Sequence, residues 1–178
     1  SESVHLDWLC RAADVIGAGE IRFLDHEDGY LVPTLELRRQ VVSVLRQERP
    51  DILVSCDPTN LFPFSGYGLN HPDHRAAGQV VLDAVFPAAG NPHYFPELLA
   101  EGLQPHTPRE VWLALTAQPN VVLDVSDTWE IKLRALLEHK SQIGDPAAFE
   151  ARMRSRHTDD STDESPRYEE KFRRILFH

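Results

Sequence analysis

The chain has 178 residues and a formal net charge of −10, with 42% hydrophobic and 26% charged residues, which predicts one ordinary globular domain. The acidic balance excludes a nucleic-acid partner, because phosphate binding needs clustered Lys and Arg. No apolar run reaches the ~18 residues needed to span a bilayer.

The opening residues Ser1-Glu2-Ser3-Val4-His5 have neither the basic nor the apolar stretch of a secretory leader. Cys10 and Cys56 make no disulfide framework and no Cys-x-x-Cys motif. Both are read as buried thiols of a cytoplasmic protein.

Val4, Trp8, Leu9, Ala12, Val15 and Ile16 recur at helical spacing, and Gly17 stops the pattern. Ile21–Leu24 reads as a short strand, followed by the polar turn Asp25–Gly29. A second helix is predicted from Pro33, with Leu37, Val41, Val44 and Leu45 as its apolar stripe. Ile52–Cys56 is the next strand, and a Pro-, Gly- and aromatic-rich loop runs from Asp57 to Asn70. A helix then opens at His71-Pro72-Asp73-His74 and extends through Val85, and an irregular stretch covers Pro87–Pro108.

Two further strands are predicted at Val111–Leu115 and Val121–Val125. The helix after them opens on Asp127 with Glu130 three residues on, a capping pattern. The polar segment 153–166 reads as a mobile tail. The spacing of Tyr168, Phe172, Ile175 and Leu176 predicts a closing amphipathic helix. Alternating helices and strands predict an α/β fold, a Rossmann-like three-layer sandwich with a mostly parallel sheet.

The chemistry gathers where the loop 57–70 leaves a predicted strand, the end at which open α/β sheets bind ligands. Pro72 suits the first helical position, which makes His71 the N-cap and puts His74 in the first turn. Residues three apart share a helix face, so both imidazoles can point into one cleft. Asp73 is placed to orient one ring, as carboxylates do for metal-bound histidines. By itself a His-x-x-His pair is equally at home on a polar helix start.

The run Asn70-His71-Pro72-Asp73-His74-Arg75-Ala76-Ala77 resembles the second signature of the LmbE/PIG-L de-N-acetylases. Three further pieces lie in that family's order: Phe23–Gly29, Arg46–Leu53 and His139-Lys140-Ser141-Gln142. The resemblance implies a hydrolase that removes an N-acetyl group, cleaving a linear amide bond, from a glucosamine-type sugar or its conjugate. It implies a zinc ion, other divalent transition metals being chemically acceptable. His74 corresponds to a metal ligand, and His71 to the group that stabilises the oxyanion, supported by Asp73. Asp28, Asp57 and Tyr67 are candidates to bind the sugar, with Phe64 beside them. His26, His93, His106 and His157 are read as surface or loop residues.

The family's first signature, Ala-His-Pro-Asp-Asp, which gives two metal ligands and the base, is absent from the 178 residues. The expectation is a single domain lacking its first strand and first metal motif, and catalytically silent as it stands. The competing reading is a carbohydrate- or partner-binding protein of the same fold with an incomplete metal site. Oligomeric state is left open, a homo-oligomer being compatible with the sequence.

Overall fold

The computed structural model describes residues 2–63, 68–162 and 164–177, with side chains from residue 6 onward. The apolar pattern that begins at Val4 therefore starts outside the described side chains. The chain divides into two compact units: Ser1–Phe23 with Val122–Glu170, and Leu24–Val121 with Lys171–His178.

The second unit carries the order of helix, strand and loop expected from the sequence. Helix α2 (Leu35–Glu48) starts one residue later than Pro33 and Thr34 would suggest. Thr34 is its N-cap, its hydroxyl accepting from Leu37 N–H at 3.1 Å. Strand β1 (Ile52–Cys56) follows, and the long loop after it leads into helix α3 (Pro72–Asp83). A segment kinked at Phe86, Ala84–Ala89, and the short helix α4 (Pro96–Ala100) precede strand β2 (Glu110–Ala114). Strand β3 (Val121–Asp124) and strand β4 (Glu169–Leu176) are where the chain passes between units.

The sheet order is β1-β2-β4-β3. Strands β1 and β2 pair in parallel, Leu53 opposite Val111 and Ser55 opposite Leu113, whereas β2 and β4 are antiparallel, Val111 opposite Ile175. The fold is α/β, but the sheet is mixed rather than mostly parallel. The correction comes from the C-terminal segment. Its helical spacing is overridden by pairing: the open side of β2 supplies a ladder to residues 173–176, and Arg174 spans Glu110 and the Trp112 ring. Side-chain contacts made across a sheet outweigh weak local propensity.

Inward-facing Val111 and Leu113 join Val42, Leu45, Val85 and Leu98 in the core of this unit. Arg46 lies in the same interior, 2% exposed. Its guanidinium donates to the carbonyls of Ala88, Ala89, Asn91 and Tyr94 at 2.9–3.1 Å. Those carbonyls belong to an irregular segment with only scattered backbone bonds of its own, and Arg46 adds a side-chain donor to each of them. Burial pulls this guanidinium below its ordinary pKa. The opposite face of β1 is bare: Ile52 and Val54 are 55% and 60% exposed.

Helix α3 is seated on β1 through Gly78. A Cβ built there would lie 2.3 Å from the Cys56 carbonyl oxygen, a backbone atom that cannot swing aside. Gly78→Ala should therefore lower stability by about 2 kcal/mol through overpacking, read as a shift of the urea midpoint at constant slope.

In the first unit, helix α1 (Glu2–Ile16) packs against helix α5 (Trp129–Leu137). The expected Asp127 cap is not made: residues 126–128 form a 3-10 turn, and Thr128 takes the N-cap position without a side-chain bond. Ile21–Leu24 forms no strand, because it meets no partner strand among the described residues. Helix α6 (Lys140–Ile143) follows, and helix α7 (Pro146–Arg154) takes in the first two residues of the segment 153–166 expected to be mobile. Beyond α7, Thr158 N–H donates to Arg167 O, and the Ser161 hydroxyl accepts from Arg167 N–H. Trp129 stacks on Tyr168 at 4.0 Å, with Leu133 and Met153 around the pair. Cys10 and Cys56 are free and half-buried.

Candidate active site

The loop between β1 and α3 is stitched before it delivers its histidines. Asp57, 4% exposed, donates its N–H to Ala114 O and accepts on Oδ1 from the Thr59 N–H and hydroxyl at 2.9 and 2.6 Å. Burial pushes this carboxyl up, but hydrogen bonds from Thr116 and Thr59 and the charge of Arg173 outweigh it and hold it below the ordinary value. Asn60 Nδ2 donates to the carbonyl of Leu115, which leaves β2 in a left-handed conformation at φ 56. Asn70, 2% exposed, closes the loop by donating from Nδ2 to Asn60 O at 2.9 Å, while its N–H donates to Leu61 O. The residue next to His71 is thus locked.

Helix α3 opens as the sequence predicts, with His71 at the N-cap and Pro72 in the first turn. His71 Nδ1 accepts from Asp73 N–H at 3.2 Å. A ring nitrogen that accepts carries no proton, so in the neutral ring the proton sits on Nε2. The His71 and His74 ring centroids are 5.5 Å apart, tilted by 50°, and both side chains are exposed. The Asp73 carboxylate accepts from Gly29 N–H at 2.6 Å on Oδ2 and from Leu31 N–H at 3.2 Å on Oδ1. That clasp brings the turn bearing Asp28 onto the start of α3, and Asp28 is exposed there.

Of the residues singled out in the sequence, His71, Asp73, His74 and the Asp28 turn come together. Asp57 is at the loop root, engaged with Thr59. Phe64 and Tyr67 lie outside the described residues. His26 bonds Gln40, and His106 bonds the Pro50 carbonyl. The roles of Asn60, Asn70 and Arg46 were not read from the sequence. Two asparagines bracketing a Pro- and Gly-rich loop were the available signal for the first two, and for Arg46 the signal was its place in the Arg46–Leu53 piece of the family resemblance.

A hydrolytic zinc site takes about three protein ligands and a water. Among the described residues no group of three or more His, Cys, Asp or Glu side chains gathers at metal-binding distance. His71 and His74 therefore offer part of such a donor set and do not complete it. A cavity of about 620 Å3 opens in the other unit, walled by Leu9, Ile16, Phe23, Ile131 and Leu136 with Lys132, His139 and Glu170 at its polar side. Its lining holds none of the three motif residues.

The family described as PIG-L, GlcNAc-PI de-N-acetylase, matches residues 9–85. The diacetylchitobiose deacetylase of Thermococcus kodakarensis is 41% identical over 133 residues, covering 75% of this chain and 47% of that protein. A 1D-myo-inositol 2-acetamido-2-deoxy-alpha-D-glucopyranoside deacetylase 2 of Saccharopolyspora erythraea is 40% identical over 130 residues, covering 61% and 43%. The structure of N,N'-diacetylchitobiose deacetylase from Pyrococcus horikoshii superposes with a TM-score of 0.82 at 28% identity, over 98% of this chain and 64% of that one. The chain spans about half the length of the relatives it matches in sequence. With the motif at the head of α3, the matched segment and the shared α/β fold in agreement, the chain belongs to the LmbE/PIG-L de-N-acetylase family.

Proposed function

We propose that the protein serves hydrolysis of an N-acetyl group on a glucosamine-type sugar or conjugate. Water is added across the amide C–N bond, and acetate and the free amine leave. The observation that carries this reading is the His71–His74 pair, 5.5 Å between ring centroids at the N-terminus of α3. Relatives named for deacetylating N-acetylated sugars support it.

Within it His74 is a ligand of a divalent ion, zinc fitting the imidazole donor. His71 presents Nε2–H to the oxyanion formed when the carbonyl is attacked. The positive end of the α3 dipole favours the same negative charge. The remaining metal ligands come from outside the described residues, so the residues present are insufficient for turnover alone. No helix among the described residues is long and apolar enough to cross a membrane, and the free cysteines suit a reducing cytoplasm.

The short donor set favours a second reading, a sugar-binding protein without catalysis. Acetate release separates the two. The purified protein is given N-acetylglucosamine, its disaccharide and an inositol conjugate, with zinc, cobalt or nickel, or with chelator. Metal-dependent acetate release is expected from the enzyme, with residues 1–178 alone remaining silent. Saturable sugar binding without acetate under every metal favours the binding module. Turnover by residues 1–178 alone, with tightly bound zinc, would show that a complete site is assembled from these residues after all.

A further inference from the structure

Asp73 immediately precedes His74, yet the protons its carboxylate accepts come from 44 and 42 residues upstream. Gly29 and Leu31 N–H groups reach its two oxygens at 2.6 and 3.2 Å. Gly29 stands at φ 84, a left-handed conformation that glycine adopts without strain. Tyr30, between the two donors, sends its own N–H the other way, to Glu27 O at 3.3 Å. Its side chain is 74% exposed. The contact from Asp73 to His71 runs instead through the Asp73 backbone N–H.

We propose that Asp73 is a positioning residue for the substrate, fastening the Asp25–Leu31 turn to the head of α3 so that Asp28 and Tyr30 form a wall of the sugar site. This rests on the de-N-acetylase reading above. Two N–H donors on one carboxylate are charge-assisted bonds, stronger than neutral ones, and they tie the turn at both sides of Tyr30. An exposed carboxylate at Asp28 can accept from sugar hydroxyls. The Tyr30 ring offers an apolar face with a polar tip, the chemistry that suits a pyranose ring.

The test compares Asp73→Ala with Asp73→Asn, the second keeping one acceptor oxygen and so one of the two bonds. On an N-acetylglucosamine-type substrate, KM should rise about tenfold for alanine and about threefold for asparagine, with kcat within about twofold. Amide hydrogen exchange at Gly29 and Leu31 should quicken in the same order. Asp28→Ala should raise KM by itself, and adding it to Asp73→Ala should raise KM little further, since residues acting as one unit are not additive.

A fall in kcat at unchanged KM would overturn the proposal and return Asp73 to the service of His71. Unchanged exchange at Gly29 and Leu31 in Asp73→Ala would overturn the clasp itself, whatever the substrate. If the unsubstituted full-length protein, rather than residues 1–178 alone, releases no acetate from any sugar with any metal, the reading of function fails and the sugar-facing role fails with it. Exchange then still decides whether the clasp exists, so the two failures are told apart.

Discussion

In the full-length protein, replacing His74 with alanine should remove bound metal and hydrolysis together. Its ring is exposed in the first turn of α3, on the face it shares with His71, so it is free to bind without disturbing the core. A hydrolytic zinc site has only about three protein ligands, so removing one imidazole leaves it below any useful affinity. Elemental analysis of protein dialysed against zinc should fall from one equivalent to background. Acetate release should drop by more than about a thousandfold, the scale on which a metal's activation of carbonyl and water is lost. Stability of the metal-free protein should change by no more than about 0.5 kcal/mol, because the side chain is exposed and makes no core contact. One equivalent of zinc retained by His74→Ala would assign the ligand elsewhere.

His71→Ala should behave differently, keeping the metal while turnover falls by about 10²–10³-fold, the effect of deleting one oxyanion donor. An interaction made only in the transition state lowers kcat and leaves KM nearly unchanged. The substitution has a second effect to be separated from the first. His71 is also the N-cap, its Nδ1 holding the Asp73 N–H, and losing a cap costs about 1 kcal/mol of stability. His71→Ser restores a capping oxygen but cannot reach the oxyanion. Stability should recover in the serine variant while turnover stays low. Recovery of turnover with the cap would reduce His71 to a structural residue, and loss of metal would make it a ligand.

How much of this was legible in the sequence divides by distance along the chain. The head of α3 was readable because everything it needs is within four residues: a ring that caps, a proline for the first turn, and a second ring one turn on. Strand β1 was readable from a run of apolar residues. The partner of Asp73 was not, since Gly29 and Leu31 are 44 and 42 residues away, and a carboxylate beside two histidines invites the nearer pairing. The expected strand at Ile21–Leu24 failed for a related reason. Apolar residues give a segment the capacity to join a sheet, but only a neighbouring strand makes it one. At the C-terminal segment the local pattern was misleading, because Phe172, Ile175 and Leu176 fit a helix as well as two faces of β4. Arg46 illustrates the remainder: a surface-type residue whose interior place is set by four carbonyls gathered from the segment 88–94.

Strand β4 follows the other described strands along the chain yet lies inside the sheet, flanked by β2 and β3. During synthesis β2 leaves the ribosome more than sixty residues before its antiparallel neighbour, Glu110 waiting for Leu176. Until then one side of β2 holds unpaired N–H and C=O groups, an invitation to pairing with other chains. The sheet cannot close hairpin by hairpin, so its folding is slowed by a long-range contact that must be made late. Nascent chains arrested before residue 169 should consequently be captured by chaperones and cut readily by protease, and should gain resistance in one step once the final eight residues of the strand are out.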